Sequence, residues 1–280
     1  MKNAKLRPIT QEEHHQILYD ILYAVDDFCQ EYGIKYFLSG GSLLGAIRHQ
    51  GIIPWDDDID ISMIRSDYER FRQLFHAHTP NGYRLWDTET PGYLYPFLKV
   101  SRNDTLIRDQ YREKSLSSMG VHIDIFPYDG CPGNKEEAIA YFHKLRSQMP
   151  GDANWSVYLP HRFNPLHWSC YLKAFRWKKK YNTINKIHQL FSQLSAHRAE
   201  DTLYAACIAW GLYGEGEVQL SSCFLQTELC KFGERLIPIP MGYDTYLRGL
   251  YGDNYMTPPP ADQRKPHHNI HPYLLNEESI

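Results

Sequence analysis

The stretch from Ser39 to Ile61 reads SGGSLLGAIRHQGIIPWDDDIDI. It begins with a glycine-rich turn, continues through a short helix predicted over 43–49, and ends in an acidic run. A Gly-Gly-Ser turn between a strand and a helix exposes backbone N–H groups at the helix N-terminus, which suits an anionic phosphate. We therefore predict that Gly40, Gly41 and Ser42 contact phosphate, with Ser42 opening the helix and donating from its hydroxyl.

The acidic end of this stretch alternates Asp58 and Asp60 with isoleucines. In a strand, this period of two places both carboxylates on one face and both isoleucines on the other. Two carboxylates that face the same way repel each other unless a cation lies between them. A set of oxygen ligands suits Mg²⁺ or Mn²⁺ rather than zinc.

A third carboxylate, Asp124, lies in a later apolar run, VHIDIF over 121–126. Its burial beside other acids would be costly unless it shared the cation. We predict that Asp58, Asp60 and Asp124 are both the catalytic and the metal-binding residues. The alternative is a solvated acidic loop, which the alternation with isoleucine disfavours. Asp56 and Asp57 are interpreted as turn or helix-capping residues, or as acids that support the ligands.

Elements on both sides of this stretch predict an α+β (α/β) protein. A capping box at Thr10 begins a helix that Gly33 ends. Hydrophobic periodicity predicts the remaining elements. Strands are expected over 34–38, 95–100, 121–126 (ending at Pro127) and 231–239, and helices over 66–75, 134–147, 168–209 and 243–250, with a loop over 151–165.

Composition narrows the function. The chain has 280 residues, 42% hydrophobic, and a net charge of −3, which disfavours a nucleic-acid binder. Six scattered cysteines form no CxxC pair, so reduced thiols are expected and zinc is not. The N-terminus lacks the apolar segment of a secretory signal, and no apolar run is long enough to span a membrane. We expect a cytoplasmic protein, with peripheral contact to the inner membrane face as a further expectation.

The stretch resembles the signature of the LicD family, which contains phosphocholine transferases of bacterial surface glycans and fukutin-type ribitol-phosphate transferases. The matching segments are GGSLLGAIR over 40–48, Gly51, IPWDDDIDI over 53–61, Asp67-Tyr68, GVHIDIFP over 120–127, RLIPIP over 235–240, Tyr251-Gly252-Asp253 and PPP over 258–260. The family belongs to the nucleotidyltransferase-fold superfamily, and the gap between Ser42 and Asp58 is long for that superfamily but typical of LicD sequences.

The resemblance implies a nucleotidyltransferase-like mixed sheet with an appended helical region, in a single domain over 1–280. Within it we expect a catalytic core over about 10–150, a helical acceptor-side region over about 151–220, and a C-terminal strand, helix and tail over 221–280. Gly41 and Ser42 correspond to the nucleotide-phosphate turn, Asp58 and Asp60 to the metal pair, and Asp124 to the third carboxylate.

The implied reaction uses a CDP-linked alcohol, foremost CDP-choline, whose outer phosphorus is attacked by a sugar hydroxyl of a glycan or lipid-linked glycan while CMP leaves. Mg²⁺ or Mn²⁺ would neutralise the pyrophosphate. Asp124 is expected to complete the metal site or to accept the proton of the acceptor. Arg48 and Lys99 are candidate phosphate contacts. Their alternatives are a pairing of Arg48 with Asp56 or Asp57, and a surface strand position for Lys99.

A choline group would need an aromatic pocket, for which Trp155, Tyr158 and Trp168 are weak candidates. The basic segment 173–180 is interpreted as a solvated helix face, with contact to anionic membrane as the alternative. Ribitol phosphate and glycerol phosphate remain open as the transferred group. Two other functions also remain open, a nucleotidyltransferase that uses an NTP and a catalytically silent scaffold, although the complete acid set disfavours the scaffold.

Overall fold

The computed structural model describes residues 6–90, 93, 95–108, 118–148, 168, 172, 193–266 and 270–275. The strands of this part of the chain are β1 (Leu6–Pro8), β2 (Phe37–Leu38), β3 (Asp60–Ile64), β4 (Tyr83–Trp86), β5 (Leu98–Arg102), β6 (Thr105–Arg108), β7 (His122–Cys131), β8 (Tyr204–Ala206), β9 (Gln219–Leu220), β10 (Thr227–Phe232), β11 (Arg235–Pro240) and β12 (His271–Leu275). The α-helices are α1 (Gln11–Tyr32), α2 (Gly40–His49), α3 (Arg65–Ala77), α4 (Lys135–Arg146), α5 (Ser222–Leu225) and α6 (Tyr243–Tyr251).

The central sheet has seven strands, and its main path runs β2-β3-β7-β5-β4, with β8 and β9 continuing from β7. The β3–β7 pair is parallel, whereas β7 pairs with β5 and β8 in the antiparallel sense. A sheet of this mixed kind together with the helices confirms the α+β fold class. Its hydrophobic core includes the apolar face of α1, whose capping box at Thr10 and left-handed Gly33 (φ 61°) are as predicted.

Strand β7 does not end at Pro127 as predicted but continues to Cys131. Its second neighbour changes along its length, because β5 pairs only as far as Ile125 and β8 pairs from Asp129 onward. Pro127 lies in the interval between these two partners. Proline has no N–H to donate to a ladder, so this interval is where a proline can sit inside a strand.

Several other elements differ from their predicted bounds. The single strand predicted over 231–239 is a hairpin of β10 and β11, in which Gly233 at the turn has a φ of 66°. The first strand of the predicted core is shorter than 34–38, and β5 begins at Leu98 rather than at 95. In the helix predicted over 168–209, the described segment 199–206 contains a 3-10 turn and strand β8.

Other sequence predictions concern residues outside the described part of the chain. They are the loop at 151–165, the basic segment 173–180 and most of the acceptor-side region, so the division into regions stays a prediction. Within the described residues, none of the helices combines the length and the apolar character that a membrane crossing requires.

Candidate active site

A cleft of about 820 Å³ opens between the sheet and the C-terminal helix α6. Its walls come from the start of α2, the acidic loop, strands β3 and β7, and the segment 207–251. The lining residues are Ser39, Gly40, Gly41, Asp56, Asp58, Asp60, Ser62, Asp124, Phe126, Tyr128, Cys207, Trp210, Leu212, Tyr213, Glu217, Tyr246, Leu250 and Tyr251. Five of the eight predicted site residues therefore line one cavity, namely Gly40, Gly41, Asp58, Asp60 and Asp124.

Strand register brings two of the predicted acids together. Asp60 in β3 lies directly opposite Asp124 in the parallel strand β7. Residues in register on neighbouring strands point to the same face of the sheet, so both carboxylates face the cleft. The isoleucines on either side of these aspartates are fully buried on the opposite face, as the alternating pattern predicts.

Asp58 differs from its predicted position, because it precedes the strand instead of lying in it. Strand β3 begins at Asp60, after a turn in which the Asp56 N–H donates to the Ile53 carbonyl at 2.8 Å. One carboxylate oxygen from each of Asp56, Asp57 and Asp58 lies within 4.8 Å of the others. The loop thus adds its own acidic group to the pair formed by the strands.

The electrostatics of this acidic end of the cleft are unfavourable without a cation. The pKa of Asp60 is raised well above its usual value, first by burial and then by the negative charges of Asp58, Asp124 and Asp56. The positive charge of Lys99 lowers the pKa of Asp60, but by less than burial and the neighbouring acids raise it. A divalent cation ligated by carboxylates would remove this penalty, so the residues present fit Mg²⁺ or Mn²⁺.

The glycine turn brings the start of α2 against these acids. A Cβ on Gly41 would lie 3.1 Å from Asp56 Oδ2, and one on Gly40 would lie 3.5 Å from Asp60 Oδ2. Gly40 also has a φ of 52°, a conformation that disfavours other residues. The first N–H groups of a helix have no partner inside it, so the start of α2 brings backbone donors close to these carboxylates.

Ser42 and Arg48 do not line the cleft. The helix begins at Gly40, three residues before the predicted start, and Ser42 is buried inside its first turn with its hydroxyl accepting a 2.8 Å bond from the Asp60 N–H. Arg48, in the last turn, donates to the Tyr255 carbonyl at 2.9 Å. We assign both residues to holding the site together, Ser42 by fixing the backbone of Asp60 and Arg48 by tying α2 to the segment after α6.

Lys99 is neither a surface lysine nor directed at open space. It lies opposite Asp124 in the β5–β7 register, and its Nζ donates to both Asp124 carboxylate oxygens at 2.5 and 2.7 Å. The rings of Tyr95 and Phe97 lie 5.0 Å from the ammonium. Lys99 therefore fixes the position of the Asp124 carboxylate.

Helix α1 braces the acidic loop from outside the cleft. Gln11, His15 and Tyr19 lie four residues apart on one helix face. Gln11 Nε2 donates to the Pro54 carbonyl and His15 Nε2 donates to the Asp56 carbonyl, both at 2.7 Å, while the Ile52 N–H donates to Tyr19 Oη at 2.9 Å. Three backbone contacts from one rigid helix fix the position of the loop that carries Asp58.

The wall of the cleft that faces the acids contains none of the predicted site residues. It is formed by aromatic residues of segment 207–251 together with Glu217, a carboxyl that is only 4% exposed. Burial raises the pKa of Glu217 to about 7, although the backbone N–H groups of Tyr213 and Leu212 and the charge of Arg146 lower it. Tyr251 belongs to a motif recognised in the sequence, whereas the GEGE run around Glu217 has no periodicity that would mark it.

Among the predicted aromatic candidates, Trp168 is described and does not line the cleft. Trp155 and Tyr158 lie outside the described residues, and Trp168 is 61% exposed. The aromatic side chains that line the cleft are instead Phe126, Tyr128, Trp210, Tyr213, Tyr246 and Tyr251.

Comparison with known proteins identifies relatives of this chain. Residues 33–156 match the family described as LicD/FKTN/FKRP, nucleotidyltransferase domain. The chain is 32% identical over 288 aligned positions, 96% of its own length and 100% of the relative's, to "Lipopolysaccharide cholinephosphotransferase LicD" of Haemophilus influenzae. It is 35% identical over 96 residues, 34% of this chain and 17% of the relative, to human "Ribitol 5-phosphate transferase FKRP". A further relative is "Uncharacterized protein RT0683" of Rickettsia typhi, 41% identical over 68 residues, 24% of this chain and 22% of the relative.

Proposed function

The chain belongs to the LicD family of enzymes, and from that premise we propose that it transfers a substituted phosphate, phosphocholine from CDP-choline, to a hydroxyl of a surface glycan or its lipid-linked precursor. The observation that carries the proposal is the register pairing of Asp60 with Asp124 next to the start of α2. It gathers cation ligands and anion-binding N–H groups at one end of a single cleft. A diphosphate is the ligand that needs both.

The N-terminus of α2 supplies the donor's first contacts. Gly40 and Gly41 line the acidic end of the cleft, where the absence of side chains lets the start of α2 lie close to Asp56 and Asp60. We expect N–H groups of this first turn to bind the phosphate oxygens. Ser42 acts indirectly, because its hydroxyl holds the Asp60 N–H. The turn therefore positions both the phosphate and the nearest carboxylate.

Asp58, Asp60 and Asp124 would hold Mg²⁺ or Mn²⁺. When bound, the cation supplies charge neutralisation for the diphosphate and for the departing CMP. Lys99 keeps Asp124 in place through both carboxylate oxygens, and α1 keeps the loop of Asp58 in place through His15. The protein's contribution is to hold these acids facing one another before the donor arrives.

The proposed transfer breaks one bond and forms one. The acceptor hydroxyl oxygen forms a bond to the phosphorus that carries choline, and the bond from that phosphorus to the oxygen bridging to CMP breaks. The electron pair leaves with CMP, and a carboxylate of the cleft takes up the hydroxyl proton, a role for which Asp124 is the candidate beside its place among the cation ligands.

A thermal-shift panel tests the donor class. CDP-choline, CDP-ribitol, CDP-glycerol, CTP and ATP are each compared in Mg²⁺ and in EDTA, because a ligand that binds only the folded state raises its melting temperature. We expect a Mg²⁺-dependent increase with CDP-choline that Asp58→Asn abolishes. Asp262→Asn, at an exposed position away from the cleft, is the matched control and should retain the increase.

The other outcomes separate the alternatives. A shift with CDP-ribitol or CDP-glycerol in place of CDP-choline would keep the transfer reaction but change the group. A shift with CTP or ATP alone would favour a nucleotidyltransferase, and no shift with any nucleotide would contradict the proposal.

A further inference from the structure

The cleft has two chemically different walls. One carries the carboxylates and the start of α2. The other faces it, with the Tyr251 hydroxyl 3.9 Å from where a Cβ on Gly40 would lie; it is here called the aromatic end and consists of Trp210, Tyr213, Tyr246, Tyr251 and Glu217. It lies beyond residues 33–156, the segment that matches the family's nucleotidyltransferase domain. Because relatives named for choline phosphate and for ribitol phosphate both resemble this chain, the aromatic end is where a preference between such groups can be built.

Tyr213 is the most exposed of the four rings at this end, whereas Tyr246 is buried and the Arg146 guanidinium lies 5.9 Å from the centroid of the Trp210 ring. Tyr213 packs edge to face against Tyr251 with ring centroids 5.1 Å apart, and the Tyr213 hydroxyl donates a hydrogen bond to the Tyr251 hydroxyl at 3.2 Å. Tyr213 is 42% exposed although it lines the cleft. Trp210 is held by Phe97 at 5.1 Å and by Tyr95 at 5.9 Å, which fixes its indole.

Glu217 brings a buried acid to these rings without a cation to match it. Its Oε1 accepts a bond from the Tyr213 N–H at 3.4 Å. Among the described residues, no lysine, arginine or histidine forms an ion pair with it within 4.0 Å. Arg146 is the cation whose charge acts on it, but the Arg146 Nε donates to the Gly211 carbonyl at 3.1 Å. A buried acid in this setting is best stabilised by a cation that arrives with the ligand.

We propose that the aromatic end is the subsite for a cationic headgroup on the donor, a quaternary ammonium, with Glu217 and the face of Tyr213 as its specificity-determining residues. This inference rests on the proposed function and names the class of donor within it. A quaternary ammonium has no N–H to donate, so it is recognised by ring faces and by a nearby negative charge. A neutral polyol gains nothing from the charge of Glu217.

The test measures binding of two donors that share CDP and differ in the headgroup, CDP-choline and CDP-glycerol, by calorimetry in Mg²⁺ at a pH above 7, where Glu217 is ionised. Glu217→Gln keeps the size of the side chain and its acceptor for the Tyr213 N–H but removes the charge. We expect it to weaken CDP-choline about tenfold, the scale of a cation held by a ring and an acid, and to change CDP-glycerol by less than about twofold. Tyr213→Leu should act in the same selective way, whereas Tyr213→Phe, which keeps the ring, should bind both donors like the wild type. Cooperative thermal unfolding, at a melting temperature no lower than that of the wild type, would show that the variants fold.

The results that overturn the inference differ from those that overturn the function. If the wild type binds a CDP-alcohol but Glu217→Gln weakens both donors equally or neither, the cationic subsite is wrong and the transfer reaction stands. An unchanged affinity with an equal loss of turnover for both donors would assign Glu217 to proton transfer and would also overturn the subsite. If neither donor binds the wild type, the proposed function fails, and the subsite fails with it.

Discussion

Glu217→Gln should remove a pH-dependent cost to stability. Burial raises the pKa of this carboxyl from 4.5 to about 7. Between these two pH values the unfolded chain has lost the proton while the folded protein keeps it, so the folded state binds more protons. The free energy of unfolding therefore falls as the pH rises through this window.

The size of the effect follows from the pKa difference. A change from 4.5 to about 7, at ~1.4 kcal/mol for each pH unit, amounts to about 3 kcal/mol once the pH exceeds the folded-state value. Glutamine cannot ionise and keeps a carbonyl for the Tyr213 N–H. As the pH rises through the window, the free energy of unfolding of the variant should therefore increase by about 3 kcal/mol relative to that of the wild type.

The assay is urea unfolding of wild type and variant at a series of pH values from 4.5 to above 7. Taking the difference removes the contributions of other buried acids such as Asp60 and Asp129, which both proteins share. The phenols of Tyr128 and Tyr246 and the thiol of Cys207 also face Glu217, but burial raises their pKa values, so they do not titrate in this window.

The matched control is Glu228→Gln, which makes the same change at an exposed position of β10. Its difference from the wild type should stay constant across the series. A Glu217→Gln difference that is flat over the same range, or that shrinks with rising pH, would refute the reasoning.

Three further predictions concern the acids and their supports. Asp60→Asn should raise the melting temperature in EDTA, because it removes a carboxyl whose pKa is raised by burial beside other acids. It should also abolish the increase in melting temperature that Mg²⁺ gives the wild type. A melting temperature in EDTA below that of the wild type would contradict this prediction. His15→Ala removes the bond to the Asp56 carbonyl and should raise the Mg²⁺ concentration needed for half-maximal stabilisation, whereas Gln16→Ala, on another face of α1, should not. Arg65→Ala leaves fully buried Asp129 without its bidentate partner, whose bonds are both 2.7 Å, and should lower the free energy of unfolding in urea by about 3–5 kcal/mol. Arg198→Ala, which removes an exposed ion pair, should lower it by less than about 1 kcal/mol. Equal losses for the two variants would contradict this prediction.

Local signals were sufficient for much of the fold. The capping box at Thr10 is visible as residue types three positions apart and begins a helix as predicted, and the helix predicted over 134–147 is present with Asn134 as its N-cap. The isoleucine alternation around Asp60 and Asp124 correctly indicates which side chains are buried. These features depend on neighbours in the chain, which is why a sequence reveals them.

Features that depend on long-range pairing were not accessible in the same way. Pro127 ends a strand by local rules, but β7 continues because its second partner changes there. Arg48 and Lys99 have the chemistry of phosphate contacts, yet one binds the Tyr255 carbonyl and the other binds Asp124. Glu217 becomes part of the cleft only because its turn packs closely on α6, where a Cβ on Gly216 would lie 2.0 Å from the Gly249 carbonyl oxygen.

In the proposed reaction, the carboxylates of the cleft and a divalent cation promote transfer of the outer phosphate of a CDP-alcohol to a glycan hydroxyl. The most direct measurement follows CDP-choline by phosphorus NMR in the presence of a glycan acceptor mixture, with Mg²⁺ or EDTA, for wild type and Asp60→Asn. We predict that CMP accumulates and the choline phosphate becomes a phosphodiester only with Mg²⁺ and the wild type. CMP formation that is equally fast in EDTA or in Asp60→Asn would contradict the account, as would release of pyrophosphate from CTP with CDP-choline left intact.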